Sequence, residues 1–196
     1  MDIFSAEKHA IHLLEEKLPP SLLYHSIEHT IDVMESVERI GISEKVNEKE
    51  LLLLKTAALF HDTGFTEQYE RNEPIGCRIA REILAGFDYT KNDIELICGI
   101  IMATDPFSNP NNLLHEIIRD ADLDYLGRDD FSRISGNLRK EMQIHGRSFT
   151  DKEWYAEQIN FLEKHYYFTL TSKAERERGK QKNLEYIRKI QRLGQY

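Results

Sequence analysis

The sequence predicts an all-α fold, a helical bundle of about nine helices with a C-terminal helical extension. Three observations predict it. Apolar residues recur at helical spacing, and no segment sustains the alternation of a half-buried strand. Glycine and proline are few, ten and five of 196 residues, and they fall between the periodic segments. Helix start and stop signals recur along the chain.

Taken in order, the first two helices are expected from about Ala6 to Leu18 and from about Ser26 to Ile40. Asn47 with Glu50 forms a capping box for a helix over Glu48–His61, and Gly64 lies just past its end. Pro74 suits the first turn of a helix that ends near Gly86. Thr90 with Asp93 opens the next, which must stop before Pro106. Asn111 or Asn112 opens a helix toward Leu126, and another covers about Asp129–Gln143. Thr150 with Glu153 opens one to about His165, and Ser172 with Glu175 opens the last, to about Leu193. The whole of 1–196 is expected to be a single domain, with the last two helices, about 150–193, as its extension. One helix differs from the rest. Leu51, Leu52, Leu53, Leu54, Ala57, Ala58, Leu59 and Phe60 leave only Lys55 and Thr56 polar. A helix apolar on every side is buried on every side, so this one should be central, with His61 and Asp62 emerging from the core at its C-terminal end.

Composition narrows the classes of function. Hydrophobic residues make up 40%, enough to bury a real core, and the formal net charge is −8. That field repels duplex nucleic acid but says nothing against a small phosphate ester, because a bound dication reverses the local field. No apolar run is long enough to span a membrane, and the N-terminus MDIFSAEKHAIHLLEEKL lacks the apolar block of a secretory signal. Cys77 and Cys98 lie in helix-like apolar patterns and are expected as free buried thiols in a reducing cytoplasm.

Three clusters carry chemistry. In LFHDTGF, the carboxylate of Asp62 follows His61 at the end of the buried helix. Such a charge is costly unless it is paired, hydrogen-bonded or bound to a metal. In YHSIEHTIDV, His25 and His29 are four residues apart, on one face if the helix includes both, or with His25 at its mouth if it starts at Ser26. In RDADLDYLGRDD, Asp122 and Asp124 border opposite sides of the apolar face, and periodicity does not choose between them. Imidazoles and carboxylates without thiolates suit a first-row divalent ion and leave positions open for water and a phosphate oxygen.

The order H … HD … D resembles that of the HD domain superfamily, mostly α-helical metal-dependent phosphohydrolases. The motifs cover about residues 22–131, and the intervals from His29 to His61 and from Asp62 to Asp122 are typical. The tail resembles the helical continuation of a bacterial subgroup of predicted HD hydrolases. By resemblance, His29, His61, Asp62 and Asp122 are the metal ligands. YHSIEHTIDV is also similar to the YHxxxHxxDV motif of cyclic-nucleotide phosphodiesterases, which implies His25 as general acid. Asn72 stands where many relatives have a further histidine, and this favours a single divalent ion (Mn, Mg, Fe, Co, Ni or Zn) over a pair. The resemblance implies metal-activated water attacking a small phosphorylated substrate, a mono- or cyclic nucleotide first, with Asp62 acting in catalysis as well as in binding. Glu73, Thr104 and Arg128 are expected near the substrate or behind the ligands, and Arg128 or Lys55 to meet phosphate oxygens. A homo-oligomer stays open. Two rivals remain: oxidative HD-type chemistry, which needs more ligands for a di-iron pair, and a non-catalytic regulatory or adaptor module that retains the metal site.

Overall fold

A computed structural model describes residues 1–194, among which there are nine α-helices and no strand. They are α1 (Ile3–Lys17), α2 (Ile27–Ser43), α3 (Glu48–Phe60), α4 (Asn72–Leu84), α5 (Lys91–Met102), α6 (Leu113–Asp122), α7 (Phe131–Ile144), α8 (Asp151–Lys164) and α9 (Leu170–Leu193). Short 3-10 turns follow α3 over Thr63–Thr66 and α6 over Asp124–Gly127. No helix of the described residues is long and apolar enough to cross a membrane. Cys77 and Cys98 are free and buried.

Helix α3 is the axis of the main core. Leu53, Leu54, Ala57, Ala58, Leu59 and Phe60 are buried against α1, α2, α4, α5 and α6. Each fully buried leucine or phenylalanine contributes roughly 1.5–3 kcal/mol, which holds the C-terminal end of α3 in place. The two polar residues of its apolar stretch, Lys55 and Thr56, are both satisfied. The Thr56 hydroxyl bonds the Leu52 carbonyl and the Tyr89 hydroxyl, each at 2.8 Å, and Lys55 pairs with Glu38 at 2.8 Å. The expected capping boxes at Asn47–Glu50, Thr90–Asp93 and Thr150–Glu153 are present.

A second apolar cluster joins Tyr24 to Tyr125, Leu126, Phe131, Leu162, Leu184 and Ile187. It packs the C-terminal helices against the segments that enter α2 and leave α6. Two element boundaries differ from expectation here. Helix α6 stops at Asp122 rather than near Leu126, because Asp124–Gly127 turns to dock on α9. Gly127 and Gly179 meet backbone to backbone, and a Cβ on either would strike the other segment's carbonyl oxygen. Helix α9 starts at Leu170, capped by Thr169 and not by Ser172. The Asp120 carboxylate takes the backbone N–H groups of Phe168 (2.9 Å) and Thr169 (2.8 Å) and fixes that start. Glu175, expected in a capping box with Ser172, instead pairs with Arg39.

Candidate metal centre

Four side chains converge where α2, α3 and α6 meet. His29 sits in the first turn of α2, where the Ser26 hydroxyl caps the helix by accepting the His29 N–H. His61 and Asp62 continue directly from α3. The chain then turns sharply, and Gly64 packs so closely on the start of α4 that a Cβ there would collide with the Asn72 carbonyl. Asp122 is the last residue of α6.

Their donor atoms face one another. His29 Nε2 lies 3.0 Å from an Asp122 oxygen, 3.5 Å from Asp62 Oδ2 and 3.4 Å from His61 Nε2. His61 Nε2 lies 3.1 Å from Asp62 Oδ2. One donor atom each from His29, His61 and Asp122 fits within 4.8 Å of the others, a group able to hold a metal ion. The His61 Nδ1–H donates to the Ala58 carbonyl at 2.7 Å, which fixes the tautomer and leaves Nε2 aimed inward, as a ligating histidine requires. Asp62 Oδ2 is buried and has no hydrogen bond among the described residues. A buried, unsatisfied carboxylate oxygen among two imidazole nitrogens and a second carboxylate has the chemistry of a divalent-cation ligand. The residues present therefore fit the metal that the resemblance implies.

Without a cation, the charges compensate internally. Burial opposes charging of His61, but the adjoining Asp62 carboxylate overrides it and pushes the imidazole pKa up to about 9. Burial likewise works against the Asp62 anion, and the charge on His61 holds its pKa well below the usual carboxylate range. Of the two aspartates that periodicity left open, Asp122 is the one at the cluster. Asp124, which is fully buried, accepts from Arg39 at 2.6 Å and Arg176 at 2.8 Å, so its anion is neutralised by arginines that sequence reading could not connect to it.

His25 precedes the cap of α2 and stays outside the cluster. Its Nδ1–H donates to Glu141 of α7 at 2.5 Å, leaving Nε2 without a partner among the described residues. The buried Glu141 also accepts the N–H groups of Tyr24 (2.8 Å) and His25 (3.1 Å) and the Tyr69 hydroxyl (3.3 Å). Burial alone would lower the pKa of His25, but Glu141, with Asp62 and Asp122, raises it above the ordinary value.

A cavity of about 410 Å³ opens beside the cluster, and His25, Asp62, Glu73, Thr104 and Asp122 all line it. Glu73 is buried, and burial first, then the Asp105 charge, raises its pKa. Arg128 is not on this wall. It bonds Asp32 at 2.6 Å and Asp130 at 3.0 Å and lines a separate hollow on the other side of His29. Lys55 is held by Glu38, and His115 lines a hollow elsewhere. Sequence reasoning missed Arg71, Arg147, Trp154 and Gln158 on the cavity wall, and Glu141 behind His25. Glu141 did leave a signal: it falls on the inner stripe of α7 that begins with Phe131, Ile134 and Leu138, where an apolar residue is the rule.

Comparison with known proteins agrees with this fold. The family model described as HD domain matches residues 26–125. Among solved structures, the chain is similar to Bacillus subtilis YpgQ, determined in complex with ADP, at 22% identity and a TM-score of 0.64. The match covers 95% of this chain and 96% of that one. No curated protein matches.

Proposed function

The chain belongs to the HD domain family, a superfamily of metal-dependent phosphohydrolases, and from that membership we propose that it cleaves a phosphate ester of a nucleotide. One observation carries the proposal: the buried, hydrogen-bond-free Asp62 Oδ2 lies 3.1 and 3.5 Å from the Nε2 atoms of His61 and His29, with Asp122 3.0 Å from His29. These four residues would hold one divalent ion. When bound, such an ion polarises a phosphoryl oxygen and lowers the pKa of water to make a nucleophile.

The remaining work falls to the chain's own groups. Glu73 has a raised pKa and lines the cavity beside Asp62, which suits it to take the proton of the attacking water. His25 keeps Nε2 free and its pKa raised, which suits it to give a proton to the departing oxygen. Arg71 and Arg147 on the same wall oppose the acidity of the site and match phosphate oxygens better than Arg128, which lines a different hollow. Thr104 spends its hydroxyl on the Ile101 carbonyl at 2.8 Å, so its part is to shape the wall. The nucleotide reading is supported by the cavity, whose size and aromatic lining suit a small ligand, and by the similar fold solved with ADP.

The test is a hydrolysis screen of mono-, di- and cyclic nucleotides after metal stripping and reloading with Mn²⁺, Mg²⁺, Co²⁺, Ni²⁺ or Zn²⁺. Metal-dependent release of phosphate, lost in Asp62→Ala, is the expected result. A chain that binds metal and hydrolyses nothing would overturn the proposal in favour of a non-catalytic module.

A further inference from the structure

The wall facing the metal cluster is presented by α8 and the loop before it. Trp154, Glu157, Gln158 and Phe161 all line the cavity, at the i, i+3, i+4, i+7 spacing of one helix face. An inward stripe in a packed bundle is ordinarily leucine and isoleucine. Here Trp154 and Gln158 are buried while Glu157 and Phe161 are exposed at the rim, so the cavity face of α8 holds an indole, an amide, a carboxylate and a benzyl ring. Phe149, from the loop, sets its ring 5.5 Å from that of Trp154, and the Arg147 guanidinium lies 5.8 Å above Phe149.

Gln158 is the decisive residue. It is 93% buried by its 7% exposure, and its Oε1 already accepts the buried Ser135 hydroxyl at 2.8 Å. Among the described residues its amide nitrogen has no acceptor. A buried amide anchored by its oxygen on a cavity wall holds two N–H donors ready for a ligand. Glu157, the preceding residue of the helix, offers only acceptors. Flat aromatic surface, a fixed donor and an adjacent acceptor are together the complement of a heteroaromatic base edge. They are not the complement of a bare phosphate.

We propose that this face of α8 is a nucleobase subsite, in which Trp154 and Phe149 pack on the base while the Gln158 amide and the Glu157 carboxylate read its edge. The proposal rests on the nucleotide reading above and adds the residues that would select the base. Positioned this way, the base lies across the cavity from Asp62 and Asp122, with its phosphates directed toward them.

The experiment uses the fact that Trp154 is the only tryptophan of the chain. Tryptophan emission and calorimetry are followed in the Mg²⁺-loaded protein during titration with α,β-methylene ADP, α,β-methylene GDP and the base-free methylenediphosphonate. The nucleoside analogues should quench emission saturably, and methylenediphosphonate should not. Gln158→Ala should weaken the better nucleoside analogue at least tenfold more than it weakens methylenediphosphonate. Gln158→Glu, nearly isosteric and lacking the donor, should do the same and serves if the alanine variant does not fold. Equal affinity with and without the base, no binding of either analogue, or binding that leaves Trp154 emission unchanged would overturn the subsite. Base-dependent binding in a protein that hydrolyses no nucleotide would sink the proposed activity and leave the subsite standing.

Discussion

At the scale of single residues, the pair His25–Glu141 makes the sharpest claims. His25→Asn should cost about 10²–10⁴-fold in rate on an ester with a poor leaving group and much less on a nitrophenyl ester, with metal content unchanged. Equal losses on both esters, or lost metal, would make His25 a positioning group or a ligand. Glu141 raises the pKa of His25 by contact, so it extends the pH range in which the acid stays protonated. A general acid is active below its pKa and fails as pH rises through it. Glu141→Gln should therefore move the alkaline limb of the rate profile to lower pH, and an unmoved limb would refute the coupling.

At the scale of elements, α8 and α9 are tied to the metal-bearing helices by contacts that tolerate little change. Gly179→Ala would drive a methyl group into the Gly127 carbonyl and should destabilise by about 1–3 kcal/mol or more, read as a lower urea midpoint. The junction of these helices also sets a pH dependence. His165 closes α8, and its carbonyl accepts the Lys180 ammonium of α9 at 2.7 Å. Burial first, then the Lys180 charge, lowers the His165 pKa to about 4. The unfolded imidazole takes up its proton below about pH 6.5, while the folded one stays neutral. Stability is thus complete above that pH and falls as pH drops toward 4, by up to roughly 3 kcal/mol from this group. Urea midpoints at pH 7 and pH 5 should differ by less in His165→Gln; an identical difference would show that other groups carry the acid sensitivity.

At the scale of the whole molecule, the site is one of few places among the described residues where a buried polar atom lacks a hydrogen bond. A ligand that binds only the folded state stabilises it by mass action, about 2.7 kcal/mol at a hundred times Kd. Addition of the native divalent ion should raise Tm, and a chelator should reverse the rise. In Asp122→Ala the rise should shrink sharply, whereas Asp124→Asn should lower Tm and leave the metal-dependent rise in place, because Asp124 serves Arg39 and Arg176. The reverse pattern would exchange the roles of the two aspartates.

Sequence alone determined the helical class, most helix starts, the centrality of α3 and the position of His61 and Asp62 at its end. These follow from local chemistry: caps are read within four residues, and an all-apolar helix has only one place to go. Local chemistry could not choose Asp122 over Asp124, since both border the same face of a helix expected to run on. The choice fell to the close docking of Asp124–Gly127 on α9, a contact between segments about fifty residues apart. It could not pair His25 with Glu141, nor see that Arg128 is spent on Asp32 while Arg71 and Arg147 reach the cavity. A charged side chain looks the same in sequence whether it is solvated, paired or poised at a site. Only packing across helices decides which partner it meets, because desolvation and pairing act through space and carry no period along the chain.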